Sequence, residues 1–180
     1  TSQSTIELSN IESGTGGFVI NGVSEYDSFG HSVSNAGDVN GDGLDDLIIG
    51  AHYDDNNGNN AGVSFVVFGK TNGTTVELSN VESASGGFSI NGITSSDYSG
   101  FSVSSAGDVD GDGLDDLIIG AKLADPNGLS SGASYVVFGK FDGATIELSN
   151  VQAGTDGFVI NGISQYDYSG FSVSNAGDIN

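Results

Sequence analysis

Two stretches place side-chain oxygens at alternating positions: Asp38-Val-Asn40-Gly-Asp42-Gly-Leu44-Asp45-Asp46 and, seventy residues later, Asp108-Val-Asp110-Gly-Asp112-Gly-Leu114-Asp115-Asp116. Oxygens at positions 1, 3, 5 and 9, with the backbone carbonyl of Leu44 or Leu114 at position 7, can surround one hard divalent cation, and the glycines let the chain curl around it. Calcium is the ion such a set predicts. A helical calcium hand would need a bidentate Glu at position 12, which is Ile49 or Ile119 here, inside the apolar run Leu-Ile-Ile-Gly-Ala. The loop therefore feeds a strand. A metal-free Asp/Gly turn is the alternative, but a turn needs one or two such residues and not four alternating oxygens. Asn40 against Asp110 makes the loops unequal, so the second, with one more acid, is expected to bind more tightly. Alternation points Asp45 and Asp115 away from the ion, outside the ligand set or toward solvent. A third copy starts at Asp178-Ile-Asn180, too short to form a site.

The elements that must hold these loops recur with the same period. Glu-Leu-Ser-Asn stands at 7–10, 77–80 and 147–150, Gly-Phe-x-Ile-Asn-Gly at 17–22, 87–92 and 157–162, and Val-Val-Phe-Gly-Lys at 66–70 and 136–140. Such self-similarity marks a stacked or radial array whose units cannot bury their apolar faces alone. The sequence units are 1–70, 71–140 and a partial 141–180. Each reads as four short strands with no helical period: Phe18-Val-Ile20, the stretch around Ser32-Val-Ser34, Leu47-Ile-Ile49 and Val63–Phe68. Leu47-Ile-Ile49 is expected to be covered on both faces, and Val63–Phe68, which only partly alternates, to lie further out. The Asn-Gly pairs at 21–22, 91–92 and 161–162 suggest tight reversals. Asp27, Asp97 and Asp167 read as turn caps, and Glu7, Glu77 and Glu147 as the exposed face of a strand. Four antiparallel strands repeated radially make an all-β fold of propeller blades, about 70 residues per repeat.

A net charge of −21, with only three lysines in opposition, excludes nucleic acid and anionic membrane as partners and favours bound cations. The chain has no Cys, so cysteine usage is silent on location. Acidic loops of modest affinity fill outside a cell and stay largely empty in cytosol, which predicts an extracellular or periplasmic setting. No run of about eighteen apolar residues suggests a membrane span, and no export signal stands in these residues. Enzymatic readings fare poorly. His31 and His52 do not recur, their equivalents being Phe101, Phe171 and Lys122, and the repeated carboxylates are spread one per unit, not paired.

These motifs resemble the FG-GAP repeats of integrin α-subunit β-propellers and their bacterial relatives. The FG element is Phe29-Gly30, then Ser99-Gly100 and Ser169-Gly170; the GAP element is Gly50-Ala51-His52 and Gly120-Ala121-Lys122, without its Pro. The resemblance implies that each acidic loop joins the first two strands of a blade and holds Ca2+. Carried over, the ligands are Asp38, Asn40, Asp42, the Leu44 carbonyl and Asp46, then Asp108, Asp110, Asp112, the Leu114 carbonyl and Asp116. It further implies that 1–29 supplies an outer strand, that blades begin near residues 30 and 100, and that 170–180 starts another. Two blades with orphan strands cannot close a ring, so further repeats of the same polypeptide, or self-association through open blade edges, are the expected partners. The implied function is non-enzymatic: a calcium-binding extracellular module for cell-surface adhesion or recognition, with a protein or glycan ligand. A structural repeat of a surface layer, sheath or filament is the alternative.

Overall fold

Runs of β-branched and aromatic residues bounded by Gly, Asn and Asp set the strands. The computed structural model describes residues 5–177, so the expectation for Asp178 and Asn180 lies outside the described residues. In chain order come α1 (Leu8–Glu12), β1 (Ile20–Asn21), β2 (Ser32–Gly37), β3 (Asp46–Ala51), β4 (Val63–Val67), β5 (Val76–Glu77), α2 (Leu78–Glu82) and β6 (Gly87–Asn91). Then follow β7 (Ser99–Gly107), β8 (Asp116–Ala121), β9 (Ala133–Val137), β10 (Ile146–Glu147), α3 (Leu148–Gln152) and β11 (Gly157–Asn161).

The strands are mostly antiparallel. One sheet runs β10-β6-β4-β3-β2 and another β11-β9-β8-β7, while β1 and β5 form a short parallel ribbon. Corresponding residues hold the same register in both large sheets: Ile48 faces Val66 and Val66 faces Phe88, as Ile118 faces Val136 and Val136 faces Phe158. The sequence period and the sheets are out of phase. β6 comes from the second sequence unit yet closes the first sheet, and β10, from the third, adds a parallel edge to it.

The core lies between the two sheets. Val39, Ile48, Val66, Phe88 and Ile90 of the first meet Leu117, Ile119, Tyr135, Val137, Leu148 and Val151, all buried. Their repeat equivalents measure what that contact is worth: Val39 is 0 % exposed, whereas Val109, at the same place in the second loop, is 47 % exposed. The glycine that closes each repeat motif touches the one that opens the next copy, for Gly50 across this interface. A Cβ on Gly50 would overlap the carbonyl oxygen of Gly100, and one on Gly120 that of Gly170, so the backbones approach as only glycine allows.

Three sequence expectations need correction. The unit is not free of helix: Leu8–Glu12, Leu78–Glu82 and Leu148–Gln152 each form a five-residue helix. Two turns or less cannot persist on propensity, so docking of Leu78 and Val81, or Leu148 and Val151, into the core holds the last two. Val63–Val67 does lie one strand further out than Leu47-Ile-Ile49, as the third strand, but it is no less covered: it is buried throughout, because β3 and β6 flank it and apolar layers cover both faces. Glu77 and Glu147 are not merely an exposed strand face. Each sits just before a helix and accepts a side-chain amide from the unit before it, Asn21 Nδ2 at 2.8 Å for Glu77 and Asn91 Nδ2 at 2.8 Å for Glu147. The Asn of the first two Asn-Gly pairs is therefore a clamp between units.

Candidate metal centre

Each acidic loop connects the first two strands of its hairpin, β2 to β3 and β7 to β8, directly after a register shift at Asn35/Gly37 or Ser105/Gly107. The shift turns the chain out of the ladder just before the first acid. Inside the loop the acids shape the backbone they stand on. Asp38 accepts the amides of Asp42 and Gly43, Asp108 those of Gly111 and Gly113. Asn40 and Asp110 accept the amide two residues on, as do Asp42 and Asp112, which hold the N–H of Leu44 and Leu114.

Asp46 and Asp116 close the loops from inside. They are 1 % and 0 % exposed, and each carboxylate bridges two amides, Val39 and Gly69 in the first loop and Val109 and Gly139 in the second, at 2.7–3.0 Å. Burial pushes the Asp46 carboxyl up to about 6 against those hydrogen bonds, with Asp42 and Asp38 adding repulsion. Asp116 is raised for the same first reason, with Asp110 repelling it. Neither has a cationic partner: among the described residues the one ion pair is Lys140 with Asp142, at 2.8 Å. A buried carboxylate normally has its charge matched, and the charged neighbours of these two are other acids.

Among the described residues, Asp108, Asp110 and Asp116 each offer a carboxylate oxygen such that all three atoms lie within 4.8 Å of one another. Oxygens around a calcium ion sit at about 2.3–2.6 Å from it, hence up to about 5 Å apart across the sphere, so the cluster fits that cation in size, charge and donor type. Asp112 stands apart from this trio. In the first loop the equivalent of Asp110 is Asn40, whose Nδ2 donates to Asp42 Oδ2 at 3.1 Å, so a neutral amide already occupies one face of that acid.

Sequence spacing missed what Asp115 does. Asp45 is exposed as expected, but Asp115 reaches back to the preceding loop, where its Oδ2 accepts the Asp38 amide at 2.9 Å, and its own N–H donates to the Asp38 carbonyl at 3.1 Å. Gly37 makes room for it, since a Cβ there would overlap that carboxylate. The Lys140 amide also donates to the Val39 carbonyl, at 2.9 Å. The second unit thus buttresses the first loop through contacts seventy or more residues apart in sequence, for which no local signal exists.

Both hairpins with their loops, and the strand that follows, coincide with a described repeat. The chain carries two FG-GAP repeats, at residues 29–67 and 99–137. Each takes in three strands of a sheet and omits the fourth, β6 or β11, which the sheets show to be integral. The chain is similar to integrin alpha pat-2 of Caenorhabditis briggsae, 36% identical over 100 residues, and to that of Caenorhabditis elegans, 37% over 101, each alignment covering 56% of this chain and 8% of the relative. Integrin alpha-5 of Xenopus laevis is 33% identical over 105 residues, 57% of this chain and 9% of the relative. The chain therefore spans less than a tenth of the length of these relatives. Among the described residues no helix is long and apolar enough to cross a membrane.

Proposed function

We propose that the chain is a calcium-binding segment of an extracellular β-propeller that serves cell-surface adhesion or recognition and catalyses nothing. The observation that carries the metal part is the meeting of Asp108, Asp110 and Asp116, the last a buried carboxylate that no cationic side chain neutralises. Asp38, Asn40, Asp42, Asp46 and the Leu44 carbonyl would hold one ion, and Asp108, Asp110, Asp112, Asp116 and the Leu114 carbonyl another. Such an ion contributes charge neutralisation and fixes the hairpin; it is structural. The adhesive part rests on the similarity to integrin α-subunits over the FG-GAP repeats. The same similarity supports an extracellular setting, as does the modest affinity expected of such loops, which would fill at extracellular calcium levels.

Thermal unfolding in calcium and in excess chelator tests the metal reading. Calcium should raise the unfolding temperature, and Asp110→Ala should shrink that rise, because binding to the folded state alone stabilises it. Coincident curves with and without chelator would refute it. Attachment of cells to the immobilised chain, lost on chelation and restored by calcium, is the outcome expected of an adhesive module.

A further inference from the structure

The opposite end of the first hairpin from its acidic loop carries two histidines: His31 just before β2 and His52 just after β3. Their ring centroids lie 4.3 Å apart with the planes tilted by 59°, so they meet without stacking face to face. His31 is exposed, whereas His52 is 4 % exposed and its Nδ1 is buried with no hydrogen-bond partner. An imidazole nitrogen in that condition has forgone water without compensation. Nor does the fold require histidine at either place. The second unit puts Phe101 and Lys122 at the equivalent positions, and the same strands form.

We propose that His31 and His52 together form a nitrogen-donor site for a first-row transition-metal dication, distinct from the acidic loops in position and in donor chemistry. A zinc–nitrogen bond of about 2.0 Å puts the metal about 3.2 Å from the ring centroid, so two imidazoles about 90–109° apart at one ion have centroids about 4.5–5.2 Å apart. The observed separation of 4.3 Å is close to that span. Neutral imidazole is the form that binds, and His52 is the buried donor of the pair. The charged or titratable groups packed around it are His31, Tyr53, Tyr98 and Lys122, with Phe101 also against it. The Lys122 ammonium is engaged with the face of Phe101, 3.2 Å from its centroid, and this charge opposes a dication and limits affinity. His31 is the exposed member of the pair, and water would complete the coordination. Nitrogen donors select zinc, nickel or copper over calcium, while all-oxygen loops select the reverse.

The test is a Zn2+ titration of the full chain saturated with calcium, which keeps the acidic loops out of the reading, followed by calorimetry and by the imidazole resonances in proton–nitrogen NMR. Zinc should shift the ring signals of both His31 and His52. His31→Phe and His52→Lys, each carrying the residue that the second unit holds there, should weaken binding at least tenfold. Lys122→Gln should leave binding equal or tighter. Zinc that leaves either imidazole unshifted in the wild type overturns the proposal, and that result does not depend on how any variant folds. Folded histidine variants that titrate like the wild type, or loss of binding in Lys122→Gln, would do so as well.

Discussion

Asp115→Ala should destabilise the chain through the loop it does not belong to. The carboxylate accepts the Asp38 amide at 2.9 Å from across the interface between sheets, at a partly buried place. A hydrogen bond to a charged acceptor contributes about 1.5–3 kcal/mol, and leaving the donor unpaired forfeits that contribution where water cannot replace it. Partial exposure lets some water in, so the loss falls at or just below the lower end of that range, about 1–2 kcal/mol. Gly37, shaped to admit this carboxylate, would be left lining a gap, which adds to the loss and not to the relief. Asp115→Asn keeps an acceptor oxygen and should cost less than half as much. Asp45→Ala, at the equivalent but exposed position, should stay within about 0.5 kcal/mol of the wild type. Urea unfolding of the four proteins in saturating calcium, analysed at constant slope, measures these differences. Equal losses for Asp45→Ala and Asp115→Ala would show that the contact across the sheets contributes nothing and that only loop charge matters.

Asn91→Ala removes both the donor to Glu147 and the acceptor of the Asn56 amide, at a buried position, and should cost about 2–3 kcal/mol in the same urea assay; Asn21→Ala, at the exposed equivalent, should cost under about 1 kcal/mol. Gly120→Ala drives a methyl into the Gly170 carbonyl and should cost about 1–3 kcal/mol, with faster amide exchange around residues 169–171 if the displaced segment is the one that yields. The pH dependence of stability should carry the mark of His52. Its folded pKa of about 4 lies below the unfolded 6.5, so its contribution is complete above pH 6.5 and is lost as pH falls toward 4, by up to about 3 kcal/mol. The wild type should therefore weaken relative to His52→Phe across that window, and parallel stability profiles would contradict it.

The period, the strands and the acidic loops were legible because each is local. Alternation, turn residues and a nine-residue ligand spacing are complete within a few positions of the chain. The helices were not, since Leu-Ser-Asn-Val-Glu is under two turns long, too short for an apolar period to repeat, and is held by what Leu78 and Val81 dock against. Nor was the burial of Val63–Val67 on both faces, because one of those faces is built by the next unit. Asn91 with Glu147, and Asp115 with Asp38, are pairs separated by 56 and 77 residues, and composition gives each of them an ordinary solvated or turn-forming reading. The histidines were passed over for a related reason. Non-recurrence argued against catalysis, yet the same non-recurrence, once the rings are seen in contact, marks them as additions to the fold.

The mismatch in phase between sequence unit and sheet bears on how such a chain can change in length. Since the first sheet is finished by β6 and edged by β10, a genetic breakpoint placed anywhere in the period cuts through a sheet and never falls cleanly between two. Loss or gain of seventy residues, wherever the cut falls, nonetheless rejoins equivalent positions and restores every partner of each sheet from the neighbouring copy, whereas an indel of any other size within a strand throws the pairing out of step. Unequal crossing-over is thereby filtered by strand pairing, so that arrays of this kind grow and shrink by whole periods without needing a boundary at which to do so.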